Sequence, residues 1–281
     1  MVNYNGEIMS PEDLGISHEN RSFRYGDGVF ESIRYSSGKL FFWEDHYFRL
    51  MADMRILRMD IPMEWSPEFI EEQIKETISA NHWEKLSLRV RFTVFRNEGG
   101  KYAPKTNSVS FIVEVERLDE EGGYQLNENG LVIDLFKDFT KQKGLLGNVK
   151  SANALLYVIA GVFQNENELD ECVLINDDKM VVEAISSNLF LVKGKQLITP
   201  PLGSGCLKGV IRGRILKHAK QWGFEAIEEN FSPFEIQRAE EVFLTNAIRG
   251  IQWVKSYRRK EFKNEISGEL IRKLSIQANL E

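Results

Sequence analysis

Three times along this chain a short β-rich run is followed, after three or four turn-forming residues, by another. Residues 29–35 and 40–43 flank Ser36-Ser37-Gly38-Lys39, residues 172–175 and 180–183 flank Asn176-Asp177-Asp178-Lys179, and residues 188–192 and 196–198 flank Lys193-Gly194-Lys195. Connections this short join antiparallel neighbours, because a parallel pair needs a crossover of about a dozen residues or more. They therefore exclude an alternating βαβ chain and predict an α+β fold of mostly antiparallel strands.

The remaining pattern fits between these hairpins. Residues 2–9 read as a short strand turning at Asn5-Gly6, and residues 86–95 alternate, with Leu88, Val90, Phe92 and Val94 on one face and Arg89, Arg91 and Thr93 on the other. Further strands are expected at 108–116, 131–136, 241–245 and 250–254. Helices are expected at 44–59, from Ser66-Pro67-Glu68 to about 80, at 152–165, at 209–222 and at 266–277. The charged stretch from Arg117 to Gly122-Gly123 reads as a linker. The expected division is a smaller N-terminal α/β domain at 1–118, a linker at 119–128 and a larger C-terminal domain at 129–281.

Composition narrows the function. Lys plus Arg number 36 against 42 Asp plus Glu, a net charge of −6, which argues against a nucleic-acid partner. Two cysteines, Cys172 and Cys206, and four scattered histidines give no disulfide framework and no metal-ligand spacing, so no metal is expected. The polar N-terminus carries no apolar leader, and the most apolar stretch, 154–163, is too short for a bilayer. The expectation is a cytoplasmic protein with no membrane partner.

Four features could carry chemistry. Lys150 lies between a glycine turn and an apolar run, where reduced solvation favours the neutral amine that attacks carbonyls; a solvated lysine at a helix start is the ordinary alternative. Glu183 interrupts the apolar run Val181-Val182-Glu183-Ala184-Ile185 and needs a partner if buried; an exposed hairpin carboxylate is the alternative. Gly203-Ser204-Gly205 leads through Leu207-Lys208-Gly209 into a helix beginning near Val210 and Ile211, and such a loop presents backbone N–H groups to an anion or simply needs glycine to turn. Arg49, in His46-Tyr47-Phe48-Arg49, has a fork suited to phosphate or carboxylate, or is a solvated helix residue.

Taken in order, Tyr25-Gly26-Asp27-Gly28-Val29-Phe30-Glu31, His46-x-x-Arg49-Leu50, Lys150-Ser-x-Asn153, Glu183-x-x-Ser-Ser-Asn188-Leu-Phe190, Thr199-Pro200 and Gly209-Val-Ile-Arg212 resemble the class IV aminotransferases, the fold-type IV pyridoxal-phosphate enzymes. The resemblance implies a two-domain fold like that of the D-amino-acid aminotransferases, the cofactor pyridoxal 5'-phosphate, a small amino substrate and a homodimer with sites near its interface. It implies that Lys150 forms the Schiff base and shuttles the proton, and that Glu183 holds the protonated pyridine nitrogen. Arg49 and the N–H groups of Val210 and Ile211 would bind the phosphate, and Leu207 would pack on the ring. Ser187, Gly209, Asn246 and Ala247 would complete the cofactor side, and Phe30, Ser32, Arg34, Arg89 and Arg91 would line the substrate side. A lysine, a carboxylate, an arginine and a helix N-terminus are what this cofactor needs.

Within the family the pattern points two ways. Ile211 and Ala247 stand where transaminases carry phosphate-side threonines. Asn246-Ala247, Lys150-x-x-Asn153 and a hydroxyl at Ser32 resemble 4-amino-4-deoxychorismate lyase, which releases pyruvate and leaves 4-aminobenzoate for folate synthesis. Ile33-Arg34-Tyr35 resembles the branched-chain transaminases instead, and Glu98-Gly99-Gly100-Lys101-Tyr102 lacks the Arg-x-His carboxylate trap of the D-amino-acid enzymes. The lyase is the favoured expectation, an amino-acid aminotransferase the second, and a non-catalytic pyridoxal-phosphate-binding relative a remote third.

Overall fold

In the computed structural model, which describes residues 1–280, the chain forms two units. The first comprises Met1–Gly122 together with Lys150–Ala154, and the second Gly123–Val149 with the described residues from Leu155 onward. The chain thus changes unit within the 119–128 stretch, and Lys150 belongs to the first unit although both flanking segments belong to the second.

The first unit is a six-stranded sheet of β1 (Val2–Tyr4), β2 (Glu7–Met9), β3 (Gly28–Ser36), β4 (Lys39–Leu40), β5 (Leu88–Arg96) and β6 (Val109–Arg117), in the order β2-β1-β6-β5-β3-β4. All its strand pairs are antiparallel, as the short connections require. Helices α1 (Arg21–Tyr25), α2 (Trp43–Ile56) and α3 (Pro67–Ala80) accompany it. Ser66 caps α3 by accepting the Phe69 N–H, and Ile70, Ile74 and Ile78, spaced by one turn, are buried. Phe92 and Phe111 stack with ring centroids 5.1 Å apart, and Trp65 meets Phe111 edge-on at 5.5 Å. The 40–43 run is strand only through Leu40. Phe42 takes φ 55°, which turns the chain abruptly into α2 and buries Phe41 and Phe42, a gain that outweighs the left-handed backbone.

The second unit holds β7 (Leu131–Leu135), β8 (Glu171–Ile175), β9 (Val181–Ala184), β10 (Asn188–Lys193), β11 (Gln196–Thr199), β12 (Glu225–Glu228), β13 (Glu241–Asn246), β14 (Gly250–Tyr257) and β15 (Lys260–Glu261). Its strand path runs β12-β11-β10-β13-β14-β7-β8-β9, with β15 on β14. Three pairs are parallel, β7 with β8, β7 with β14, and β11 with β12. Helices are α4 (Leu145–Asn148), α5 (Leu155–Glu166), α6 (Val210–His218), α7 (Pro233–Arg238) and α8 (Glu265–Leu280).

Several sequence expectations change, the helix expected at 44–59 among them, which runs from Trp43 to Ile56. The helix expected from 152 begins at Leu155, because the preceding residues pair with β3 instead. The helix expected from 209 to 222 runs from Val210 to His218. The short elements α1, α7 and β12 were not anticipated, being too brief for a periodic signal. Cys172 and Cys206 are buried free thiols, pushed up by burial to about 12 and about 11, so both stay protonated at neutral pH. Among the described residues no group of side chains could hold a metal ion, and no helix is long and apolar enough to cross a membrane.

Buried Glu241 caps the start of α8. Its Oε1 accepts the Ile266 N–H at 2.8 Å and its Oε2 the Ser267 N–H at 2.9 Å and hydroxyl at 2.8 Å. Glu241→Ala strands all three donors and should lower stability by about 1–3 kcal/mol, read as an earlier denaturant midpoint at unchanged slope.

Candidate active site

The candidate residues fall into two groups, one in each unit. In the first unit residues 150–154 run alongside β3. The Phe30 N–H donates to the Lys150 carbonyl at 3.0 Å, the Ala152 N–H donates to the Gly28 carbonyl at 2.8 Å, and Val29 bridges Ser151. Gly26, at φ +66°, lies where a Cβ would come within 3.0 Å of the Asn153 Cα, so both the backbone and the space demand glycine. This pairing brings the Lys150 Nζ to 4.4 Å from the Phe30 ring centroid, and the Arg91 guanidinium stands 3.8 Å from the same ring.

The two-residue period of β3 puts Phe30, Ser32 and Arg34 on one face. Antiparallel register sets Thr93, Arg91 and Arg89 of β5 directly opposite them, and Ile112, Glu114 and Glu116 of β6 beyond. Arg89 and Arg91 lie 3.7 and 4.0 Å from Glu116 and Glu114, half-exposed pairs worth little to stability. Arg34 differs. It is 1% exposed, and its Nη2 donates to the Glu120 and Gly122 carbonyls at 3.4 and 3.0 Å, so it ties down the end of the unit.

The opposite face of β3 carries Glu31, which meets α2. Arg49 Nε donates to Glu31 Oε1 at 2.7 Å, Arg49 Nη2 bonds to Oε2, and His46 Nδ1 lies 2.6 Å from Oε2. Burial alone would raise the Glu31 pKa. The charges and hydrogen bonds of Arg49 and His46 outweigh it and hold the carboxyl at about 2. Burial lowers the His46 pKa despite that carboxylate, so His46 is a neutral ring donating through Nδ1, and its Nε2 is buried without a partner among the described residues. One turn beyond Arg49, Asp53 Oδ2 accepts the Lys150 N–H at 3.0 Å. Burial, helped by the Glu31 charge, pushes Asp53 up to about 6 against that hydrogen bond and the nearby Arg49 and Lys150 charges.

In the second unit Glu183 sits on β9 at 2% exposure. Its Oε1 accepts the Lys141 ammonium and, at 2.7 Å, the Tyr157 hydroxyl; its Oε2 accepts the Leu207 N–H at 2.6 Å. Leu207 thus opens the turn into α6. A Cβ on Gly209 would fall 1.9 Å from the Asn188 Oδ1, and Asn188 Nδ2 is itself bonded to the Leu207 carbonyl at 2.9 Å, so only glycine fits there. The Val210 and Ile211 N–H groups belong to the first turn of α6, where helix geometry supplies no partner. Asn246 Nδ2 donates to Ser187 Oγ at 3.1 Å, its Oδ1 accepts the Ile248 and Arg249 N–H groups, and the Ala247 carbonyl accepts the Tyr124 hydroxyl at 2.7 Å. The buried Thr245 Oγ1 has no partner among the described residues.

Sequence reasoning missed Lys141, Tyr157 and Asp53. Nothing in Thr140-Lys141-Gln142-Lys143 marks one lysine as buried. The i,i+3 spacing of His46 and Arg49 was a usable sign of one shared helix face, and Asp53, one turn further, continues it.

A fold of two antiparallel-rich sheets carrying a lysine, a buried hydrogen-bonded carboxylate and a glycine-entered helix points to a class of cofactor enzymes, and the comparisons agree. The family model for amino-transferase class IV matches residues 28–257, and the chain belongs to that family of pyridoxal-phosphate-dependent enzymes. It is 29% identical to a putative branched-chain-amino-acid aminotransferase of Methanocaldococcus jannaschii over 96% of this chain and 92% of that one. It is 25% identical to a D-alanine aminotransferase of Bacillus licheniformis (87% and 84% covered) and 26% identical to an aminodeoxychorismate lyase of Vibrio harveyi (93% and 94%). The branched-chain aminotransferase of Thermoproteus uzoniensis, solved with norvaline, superposes with a TM-score of 0.85 over 99% of this chain and 93% of that one at 23% identity. The residue types present suit such a cofactor in kind: an amine, a buried carboxylate and an N-terminal helical turn closed to side chains.

The two first-unit carboxyls act on stability with opposite signs. Asp53, raised from 3.8 to about 6, destabilises the fold while ionised, so stability should rise as pH falls from about 6 to about 4. Glu31, lowered from 4.5 to about 2, contributes stability above about 4.5 that is lost towards pH 2, on the order of 3 kcal/mol. Denaturant unfolding across this range should show Asp53→Asn lacking the first limb and Glu31→Gln lacking the second.

Proposed function

We propose that this enzyme is a 4-amino-4-deoxychorismate lyase, cleaving its substrate to pyruvate and 4-aminobenzoate. The observation that carries the reading is the row beside Lys150: Phe30 under the amine, then the Ser32 hydroxyl on the same face, with Arg91 directly opposite Ser32 on β5. The lyase must move a proton from the amine-bearing carbon and release an enol ether oxygen. Bound pyridoxal phosphate supplies the electron sink for that carbon. Lys150 carries the proton at its Nζ, the Ser32 hydroxyl orients the leaving oxygen, and Arg91 or the more exposed Arg89 binds a substrate carboxylate. Glu183 holds the ring nitrogen, Leu207 packs on the ring, and Arg49, held in one rotamer by Glu31, takes the phosphate with the N–H groups of Val210 and Ile211. Ser187, Gly209, Asn246 and Ala247 shape that cofactor side, with Asn246 Oδ1 fixing the turn through Ala247 by accepting the Ile248 and Arg249 N–H groups.

Branched-chain transamination is the second reading. It is supported by the Methanocaldococcus relative and by the Ile33-Arg34-Tyr35 pattern. Purified holoenzyme given aminodeoxychorismate should form pyruvate and 4-aminobenzoate in equal amounts, and Ser32→Ala should lower kcat by about 10²-fold or more with the visible cofactor band intact. Keto-acid formation from an amino acid with 2-oxoglutarate, without 4-aminobenzoate, would sink the lyase reading. Lys150→Ala should abolish the visible band and both activities.

The same reading makes the enzyme a cytoplasmic homodimer. Supporting it, Leu155, Val158 and Val162 form one apolar stripe of α5 at 66%, 58% and 50% exposure, with Leu145 and Leu146 also exposed. Val158→Glu should convert a dimer to monomer in sedimentation velocity; a wild-type monomer at micromolar concentration would rule the dimer out.

A further inference from the structure

Glu183 holds more donors than its part in cofactor binding explains. Lys141 is 5% exposed, and its ammonium and the Tyr157 hydroxyl both address Oε1 of a glutamate that is 2% exposed. The lysine is not there by accident of a mobile side chain. Its own N–H is bonded to the Ile175 carbonyl at 2.8 Å, it bridges Asn176, and its ammonium stands 5.4 Å from the Tyr157 ring centroid. Burying an ammonium costs hydration and rotamer freedom and persists only against a counter-charge. Burial, and then the Glu183 charge and hydrogen bond, push the Tyr157 hydroxyl far up, so it remains a donor throughout the working pH range. Three donors from three segments, Lys141, Tyr157 and Leu207, therefore converge on one carboxylate.

Resting on the functional reading above, we propose that Lys141 is a positioning residue that shares the Glu183 carboxylate with the cofactor's ring nitrogen, so that two cationic groups divide one negative charge and the ring nitrogen holds its proton less firmly than a dedicated carboxylate would allow. A neighbouring like charge disfavours the second cation, and in a buried setting water screens that repulsion poorly. Lys141 sets the strength of the electron sink without touching substrate. It also keeps Glu183 charge-compensated before the cofactor arrives, which an isolated buried carboxylate would not be.

The test uses holoenzyme loaded with pyridoxal phosphate carrying 15N in the ring, whose chemical shift reports ring protonation directly. In wild type the ring nitrogen should lose its proton within the accessible pH range. In Lys141→Met and Lys141→Gln it should hold the proton about tenfold more tightly, a titration displaced upward by about one pH unit. Lys141→Arg, which keeps the charge, should titrate with wild type. Lys141→Gln retains a donor towards Glu183 and covers the case in which Lys141→Met does not fold. Identical ring titrations in wild type and the neutral variants, with cofactor bound in each, would overturn the role of Lys141. So would a wild-type ring nitrogen that stays fully protonated to about pH 10. A purely structural ion pair would change thermal stability and leave the ring shift where it was. Wild-type protein that takes up no pyridoxal phosphate on Lys150 would sink the functional reading itself, an outcome distinct from unchanged shifts in loaded protein.

Discussion

The short backbone pairing of residues 150–154 with β3 is the constraint that sets the surroundings of Lys150. Two hydrogen bonds, from Phe30 to the Lys150 carbonyl and from Ala152 to the Gly28 carbonyl, hold the lysine's backbone extended and delay α5 to Leu155. Everything near the amine follows from that register. Phe30 lies below Nζ, Arg91 stands on the same ring, and Asp53 of α2 takes the Lys150 N–H. Residues 26–28 must approach closely for the pairing to exist, and Gly26 is the position where a side chain would collide with Asn153.

Buried carboxylates set the second layer of organisation, and each is resolved differently. Glu31 takes a bidentate guanidinium and a neutral imidazole, which hold it strongly acidic. Asp53 accepts a backbone N–H among charges of both signs and is left close to neutrality in its titration. Glu241 is satisfied by the start of α8 and serves the fold alone. Glu183 receives an ammonium, a phenol and a backbone N–H, three donors from three separate segments. Burial makes each carboxylate costly, so the identity of its partners tells what it is kept for.

Much of the local structure was legible because it rests on local rules. The Ser66-Pro67 helix start, the alternation of Leu88, Val90, Phe92 and Val94, and the hairpin turns act over a few residues, and the structure follows them. The elements that were misjudged depend on partners far away in the chain. The polar residues after Lys150 look like the first turn of α5 until β3 is there to bind them, and Phe42 looks like strand until burial rewards a left-handed turn. Arg34 and Arg91 are alike in sequence terms, yet one donates to the Glu120 and Gly122 carbonyls and the other stands over Phe30.

The sequence by itself determined the α+β class, the family and the cofactor, because turn chemistry, strand periodicity and an ordered set of motifs are properties of neighbours along the chain. Only the tertiary structure decided which charges are buried and with whom. Lys141 and Glu183 are 42 residues apart, and Asp53 and Lys150 are 97 apart. The strength of each such contact depends on how completely the fold removes water around it, which no local pattern encodes.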